Sequence, residues 1–226
     1  CSPSSQYVCD SDESPTHQVT LSAFYIGRYE VTQAQWTAKM GSNPSYFVPA
    51  NGFSSDTTKP VESVSWNMIA STGGFMSVTG LRLPTEAEWE YAYRAGTTTA
   101  FHSFPGYTSG TNDDTLLGNI AWYSGNNGAS GSSTYGTKAV GGKFANGLGL
   151  HDMAGNVWEW CQDWYGPYSS GSVTNPTGPT TGSSVLLRGG VWSLFSKVCR
   201  ASKRDGDGTV PNYGDNRFGF RAARNP

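Results

Sequence analysis

The sequence has little charge and no long apolar run. Only 14% of its 226 residues are charged, and 15 Lys and Arg stand against 17 Asp and Glu, for a net charge of −2. Proteins that bind nucleic acid usually carry a basic stripe or a high pI, so we expect no nucleic-acid partner. Because no stretch of 18 apolar residues predicts a membrane span, contact with a membrane is expected only through a lipid anchor.

Residue types that support common enzyme chemistry are also scarce. The three histidines have no GxSxG or GxGxxG motif beside them, so none has a recognisable catalytic setting. The four cysteines contain no CxxC pair and predict neither a zinc site nor a dense disulfide framework. Cys161, which directly follows an aromatic run, is interpreted as a buried thiol.

Glycine, proline and aromatic residues are abundant instead. The chain has 29 Gly and 12 Pro, well above the roughly 12% that the two residues contribute to average proteins. Aromatic residues make up 13% of the chain, including eight Trp, and disordered chains have few aromatics. We therefore expect a folded protein with many irregular loops that large aromatic side chains hold in place.

Three segments predict helices, over residues 32–41, 65–78 and 85–96. Capping boxes begin the first and the third, at Thr32 and Thr85, and a glycine ends each of them. A Gly-Gly pair weakens the second helix. In the third, Glu86 and Glu90 share one face, which we interpret as solvated.

Strand patterns occur over residues 19–25 and again in the last third of the chain. Residues 97–148 have no period, but aromatic residues among them predict a packed loop. No repeat or change of composition marks a boundary, so the chain is interpreted as a polar tether over residues 1–15 followed by one domain over 16–226.

Six segments resemble the motifs of the formylglycine-generating-enzyme (sulfatase-modifying factor) family, in the family's order. They are FYIGRYEVTQAQW, PVESVSW, LRLPTEAEWEYAYRAG, GLHDMAGNVWEW, LLRGGVW and NRFGFRAAR. The resemblance spans roughly residues 16–224. It implies an α+β architecture, namely the C-type-lectin-like fold of the formylglycine-generating-enzyme subtype, with few regular elements and long loops.

The resemblance also implies how the chain departs from the enzymes of that family. Those enzymes oxidise a cysteine of sulfatases and use two active-site cysteines that bind copper. In this chain the second position is Cys199, but the first is Leu194. Leucine offers no thiolate to copper or to redox exchange. We therefore predict a protein that is not an enzyme and expect no copper, with an oxidoreductase of altered chemistry as the alternative.

The family's calcium motif is matched residue by residue. Before the resemblance, the segment from Asp152 to Glu159 is only a weak candidate for a hard cation, because it lacks an EF-hand pattern. With the resemblance, a structural Ca²⁺ is expected, and its implied ligands are Asp152, Gly155, Val157 and Glu159.

The segment after Gly190 alternates motif residues with residues that follow no pattern, which is similar to the variable proteins of diversity-generating retroelements. That resemblance implies that residues 188–221 form a variable ligand-binding region on an invariant framework. The implied contact residues are Val191, Ser193, Leu194, Phe195, Lys197, Val198, Lys203, Asp205, Gly206, Asp207, Gly208, Tyr213, Gly214 and Asp215. The implied framework is Arg188, Gly189, Gly190, Trp192, Cys199, Arg200, Arg204, Arg217 and Gly219 to Arg221.

Cys1, followed by a polar stretch, resembles the lipid-carrying cysteine of a bacterial lipoprotein. The expected location is therefore the bacterial cell surface or outer membrane, with the lipid at Cys1. The expected partner is a protein or a glycan, and a monomer is expected. A binding domain that does not diversify is a further alternative, because a lectin-like fold does not by itself specify a ligand.

Overall fold

The computed structural model describes residues 8–206 and 208–226. Cys1, the expected lipid attachment site, and Asp207, an expected contact residue, lie outside the described residues. The α-helices are α1 (Gln33–Met40), α2 (Trp66–Ala70), α3 (Phe75–Thr79) and α4 (Glu86–Arg94). The strands are β1 (Val19–Thr20), β2 (Tyr25–Ile26), β3 (Ala121–Trp122), β4 (Ala154–Gly155), β5 (Trp158–Trp164), β6 (Val173–Thr174), β7 (Val185–Arg188), β8 (Phe218–Gly219) and β9 (Ala223–Arg224).

The capping boxes predicted from the sequence begin α1 and α4. Thr32 accepts a hydrogen bond from the backbone of Gln35 and Thr85 accepts one from Glu88, and each glutamine or glutamate side chain bonds back to its cap. These reciprocal bonds satisfy backbone N–H groups that a helix leaves without partners. The two helix predictions are confirmed within one or two residues at each end.

The helix predicted over residues 65–78 is two short helices, α2 and α3. Gly73 has a φ of +80°, in the left-handed region, and a Cβ at Gly74 would lie 2.7 Å from the carbonyl oxygen of Met68. Since a regular helix has neither feature, the Gly-Gly pair breaks the segment completely instead of only weakening it.

Strand β5 is the central element of the fold. It lies between β7, which is antiparallel to it, and β8, which is parallel to it. Glu159, in the middle of β5, pairs in register with Arg188 on one side and Gly219 on the other. This position places the Glu159 carboxylate inside the protein, where it is fully buried.

The other strands form two-residue pairs that tie distant parts of the chain together. β1 pairs with β6, β2 with β9, and β3 with β4. The strand predicted over residues 19–25 is therefore two short strands in separate sheets. These short strand pairs provide little backbone hydrogen bonding. Large aromatic side chains therefore contribute much of the packing, and Trp36, Trp89, Trp158 and Trp160 are all buried.

The long segment over residues 97–148 is packed, as its aromatic residues predict. Phe101 and Phe104 are buried, and Phe101 pairs through its backbone with Thr111. Within the described ranges, none of the helices has the length and hydropathy of a membrane span.

The prediction of a polar tether over residues 1–15 is wrong for residues 10–13. Residues 11–13 form a 3-10 helix, and Glu13 is buried. Asp12 and Glu13 both contact the C-terminal third of the chain, so residues 10–13 belong to the folded domain.

Candidate functional site

Four arginines of the C-terminal third have buried side chains. They are Arg188, Arg200, Arg204 and Arg221, each at most 3% exposed. A buried guanidinium needs a counter-charge and several hydrogen-bond acceptors, because leaving water costs several kcal/mol, about the order expected for any buried ion. Each of the four has a carboxylate partner.

Arg221 pairs with Glu159 at the centre of the sheet. Its Nε and Nη2 atoms donate to the two carboxylate oxygens of Glu159, both at 2.6 Å. The indole of Trp89 donates to Oε2 of the same carboxylate at 2.6 Å. Helix α4, strand β5 and the C-terminal strand segment are thereby joined at one buried carboxylate.

Arg188 holds the turn that follows Cys199. It donates to the carbonyl oxygens of Ala201, Ser202 and Lys203 at 2.9, 2.9 and 2.7 Å, and it forms an ion pair with Glu90. Burial alone would lower the pKa of Arg188, but the negative charge of Glu90 outweighs it and raises the pKa. The turn is therefore fixed to helix α4.

The interpretation of Glu86 and Glu90 as a solvated face is wrong. Glu86 is buried and accepts hydrogen bonds from Arg204 at 2.7 and 2.9 Å, and Glu90 pairs with Arg188 and Arg94. The acidic face of α4 points toward the arginines of the C-terminal third. The pattern of the helix alone cannot show this, because the arginines lie about 100 residues later in the chain.

The loop after Gly190 presents an exposed aromatic side chain. Phe195 is 74% exposed, while Ser193 and Leu194 are half-buried. The Leu194 carbonyl accepts a hydrogen bond from the Ser124 backbone at 3.0 Å, and the Ser196 hydroxyl donates to Asp114 at 2.9 Å. Backbone and polar contacts thus hold the loop, and the Phe195 ring is left in solvent.

A second exposed stretch lies at Tyr213 to Asp215. Tyr213 is 48% exposed, and the Ser63 backbone donates to the carbonyl of Asp215 at 2.9 Å. Burial alone would raise the pKa of the Asp215 carboxyl, but the hydrogen bonds and charge of Arg217 outweigh burial and lower this pKa. The indole of Trp192 donates to the Asn216 carbonyl at 3.3 Å and so joins this stretch to the loop after Gly190.

We call the residues of these two stretches the contact surface. It comprises Ser193, Leu194, Phe195, Lys197, Tyr213, Gly214 and Asp215, each of which is exposed or half-buried.

Several residues expected to contact a ligand do not fit that role. Val191, Val198 and Gly206 are buried, and Val191 and Val198 belong to the hydrophobic core. Sequence patterning missed this because apolar residues in an irregular loop have no period that would show which of them point inward. A ligand cannot reach their side chains unless the core opens.

Three other expected contact residues, Lys203, Asp205 and Gly208, are not part of the contact surface. Lys203 pairs with Asp10 at 2.7 Å. Asp205 pairs through its backbone with Leu187 of β7, and Gly208 is exposed.

Cys199 does not resemble a reactive thiol. It is free and fully buried, and burial raises its pKa to about 12. Its neighbours are tightly packed: a Cβ on Gly190 would lie 2.8 Å from the Cys199 sulfur. A reactive cysteine needs an accessible thiolate, so in this state Cys199 is a packing residue. Cys161 is likewise a free, buried thiol, which confirms its interpretation from the sequence.

Two of the residues implied to bind calcium, Asp152 and Glu159, lie close to Arg221. Both oxygens of Glu159 are already bonded, whereas Oδ1 of the buried Asp152 has no partner. Burial, together with the neighbouring carboxylates, raises the pKa of Glu30 well above its usual range and that of Asp152 as well. No group of three ligating side chains is present among the described residues, so a cation here would rely on Asp152 and backbone carbonyls.

Sequence reasoning missed the residues that support the contact surface from elsewhere in the chain. Asp114, Ser124 and Ser63 all bond to it. Asp114 and Ser124 lie in stretches with no distinguishing motif, and Ser63 lies in the motif PVESVSW, far from residues 213–215 in the sequence. Only the fold shows that these residues are adjacent to the contact surface.

Comparison with known proteins identifies relatives over almost the whole chain. The family model described as "Sulfatase-modifying factor enzyme 1-like domain" matches residues 3–226. The formylglycine-generating enzyme of Streptomyces coelicolor is 29% identical, over 93% of this chain and 81% of that protein. The chaperone protein LppX of Paenibacillus barcinonensis is 31% identical, over 87% of this chain and 80% of that protein.

A solved structure is similar as well. Treponema denticola variable protein 1 superposes with a TM-score of 0.80 at 34% identity, covering 96% of this chain and 90% of that one. The mixed, C-type-lectin-like fold predicted from the motifs is thereby confirmed, and so is the resemblance to both groups of proteins.

Proposed function

The chain belongs to the sulfatase-modifying factor enzyme 1-like family, and we propose that it is a ligand-binding member that has no oxidase activity. The ligand binds at the contact surface, and the C-terminal region over residues 188–221 varies between copies of the gene to change what is bound. The likeness to Treponema denticola variable protein 1 supports this assignment at the level of a variable protein.

The observation that carries the proposal is the division of side chains within one short region. Residues such as Trp192, Cys199 and Arg200 are buried and bonded, whereas Phe195 and Tyr213 are exposed. Rigid elements hold the region, so its exposed side chains can change without loss of the core. Exposed aromatic rings on a fixed backbone serve as anchors in binding surfaces.

The absence of oxidase activity rests on the residues at the positions of the two cysteines. Leu194 occupies one of them, and Cys199 is a buried thiol with a raised pKa. Copper or redox chemistry needs thiolates. Formylglycine-generating enzymes are among the relatives, so an oxidoreductase of altered chemistry is the competing assignment.

A protein or a glycan is the proposed ligand class, and display at the bacterial cell surface would give it access. Protease treatment of intact cells tests the display, because a displayed chain is cleaved while a cytoplasmic marker survives. Mass analysis of the N-terminal peptide tests for a lipid at Cys1.

Sequencing the gene and its flanking DNA from several isolates tests the diversification. We expect differences confined to the codons of residues 191–216, next to a reverse-transcriptase gene and a template repeat. An invariant segment with no such neighbour would contradict diversification and favour a domain with one fixed ligand. Copper uptake or thiol oxidation that depends on Cys199 would contradict the assignment as a non-enzyme.

A further inference from the structure

A cleft of about 740 Å³ lies apart from the contact surface. Helix α4, the end of strand β5 and the loop after β5 border it. Its lining combines apolar and aromatic side chains, such as Leu21, Tyr91, Trp164 and Pro176, with polar and charged ones. Ligand pockets commonly have volumes of about 300–1,000 Å³ and are mostly apolar with a few polar groups. No residue of the contact surface lines the described part of this cleft.

The carboxylates that line the cleft differ in their partners. Glu13, Glu86 and Glu90 are each paired with a buried arginine. Asp163 is buried too, but no described lysine, arginine or histidine forms an ion pair with it. Glu90 also pairs with Arg94, so Asp163 is the carboxylate of the lining that has no ion-pair partner among the described residues.

One oxygen of Asp163 has a partner and the other has none. Oδ2 accepts a hydrogen bond from the Glu86 backbone at 2.9 Å, which ties the carboxylate to the first turn of α4. Oδ1 accepts no hydrogen bond of normal geometry from any described residue outside Asp163 itself. Because Asp163 lines the cleft, a ligand that enters the cleft can supply a donor to Oδ1.

Gly178 keeps the loop side of this oxygen open. It has a φ of +70°, and a Cβ there would lie 3.0 Å from the Asp163 Cβ and 3.3 Å from Oδ1. Any larger residue at position 178 would crowd the carboxylate. The loop thus approaches Asp163 closely without covering it.

We propose that the cleft binds a primary ammonium group on an apolar body, with the ammonium donating to Oδ1 of Asp163. An N⁺–H···O⁻ hydrogen bond is among the strongest in proteins. The apolar body would lie against side chains such as Leu21, Trp164 and Pro176, and aromatic faces also attract cations. The two glutamates of α4 in the lining are paired with arginines, so the preference for a cationic ligand rests on the Asp163 carboxylate.

The charges that surround Asp163 predict how binding depends on pH. Burial, followed by Glu86 and Glu88 of α4, raises the pKa of Asp163 to about 7. Arg204 and Tyr168 both donate hydrogen bonds to Glu86, and the ring centroids of His17 and Tyr168 lie 5.1 Å apart. Because the ammonium needs the ionised carboxylate, its affinity increases as the pH rises from 6 to 8.

Titration with 2-phenylethylamine and with 2-phenylethanol, followed by amide chemical shifts, tests the proposal. The two probes share an apolar body and differ in their ammonium and hydroxyl groups. In the intact protein we expect the amine to bind at least tenfold more tightly than the alcohol and to shift amides of α4 and of residues 163–179. In Asp163→Asn we expect the amine to lose at least tenfold in affinity, while the alcohol keeps its own.

Two further variants separate this result from damage to the fold. Asp113→Asn removes an exposed carboxylate outside the cleft and should leave both titrations unchanged. Ala87→Trp, at a half-buried cleft position on α4, should block both probes while the melting temperature stays near that of the parent. Equal binding of amine and alcohol, or an undiminished affinity of Asp163→Asn for the amine, would overturn the proposal. Neither result bears on the contact surface, which these variants do not alter.

Discussion

Arg200 and Glu13 lie 187 residues apart in the chain, and their side chains form a bidentate ion pair with distances of 2.6 and 2.8 Å. Both side chains are buried, and the Ser202 hydroxyl donates to the same carboxylate at 2.7 Å. Burial alone would raise the pKa of Glu13, but these hydrogen bonds and the charge of Arg200 outweigh burial and lower this pKa. The N-terminal segment is therefore bound directly to residues 200–202 of the C-terminal third.

Removal of Glu13 should destabilise the whole domain. Glu13→Ala leaves the Arg200 guanidinium buried without its counter-charge, which costs about 3–5 kcal/mol in comparable pairs. Asp10→Ala, in the same segment, removes an exposed partner of Lys203 and the N-cap side chain of the 3-10 helix, and should cost about 1–2 kcal/mol, less than Glu13→Ala. Urea unfolding measures both. Equal, small losses for the two variants would mean that residues 10–13 are a tether after all.

The contact surface and the core beneath it should respond differently to truncation. Phe195→Ala removes a ring that is 74% exposed, and its free energy of unfolding should stay within about 0.5 kcal/mol of the parent. Val191→Ala empties space in the core and should cost about 1–3 kcal/mol. A drop in melting temperature for Phe195→Ala as large as that for Val191→Ala would show that the Phe195 ring supports the fold.

Cys199 should be inert in the native protein. Its thiol is buried and its pKa is raised to about 12, so the thiolate is scarce at neutral pH. We expect iodoacetamide to label neither Cys199 nor Cys161 in native protein at pH 8 within hours, and to label both in urea. Peptide mass analysis gives the two extents. Fast native labelling of Cys199 would favour the oxidoreductase alternative.

Asp163 should make stability depend on pH. Its pKa is raised from 3.8 to about 7 in the folded protein, chiefly by burial, so the unfolded chain releases this proton first as the pH rises. The free energy of unfolding then falls between pH 4 and 7, by a few kcal/mol at most, since one pKa unit is about 1.4 kcal/mol.

Asp163→Asn removes this titration while it keeps an oxygen for the Glu86 N–H. We expect the stability difference between parent and variant to change steadily from pH 4 to 7, in favour of the variant at the higher pH. Urea unfolding at four pH values measures it, and a constant difference would mean that Asp163 is ionised throughout this range.

Calcium should stabilise the protein if the implied cation is bound. Glu30, Asp152 and Glu159 are buried carboxylates close to one guanidinium, that of Arg221. A divalent cation at Asp152 Oδ1 would offset their excess negative charge. We expect millimolar CaCl₂ to raise the melting temperature of the parent and not that of Asp152→Asn. An unchanged melting temperature of the parent would contradict the implied calcium site.

Local sequence patterns predicted local features well. The capping boxes at Thr32 and Thr85 set the starts of α1 and α4, because they satisfy helix ends through nearby residues. The ordered motifs predicted the family and the fold. The predictions failed where residues distant in the sequence determine the structure. Glu86 was predicted to be solvated and Glu13 to lie in a tether, but both are buried and paired with distant arginines. Val198 was predicted to be an exposed loop residue, but it packs in the core.

The contact made by Arg188 has a consequence for how freely the region can evolve. Arg188 donates hydrogen bonds to the backbone carbonyl oxygens of residues 201–203 and not to their side chains. Every amino acid presents the same carbonyl, so these three hydrogen bonds do not themselves depend on the side chains of residues 201–203. A new side chain at the half-buried position 203 leaves the three hydrogen bonds in place. Positions 201 and 202 are constrained for other reasons, because Ala201 packs in the core and the Ser202 hydroxyl donates to Glu13.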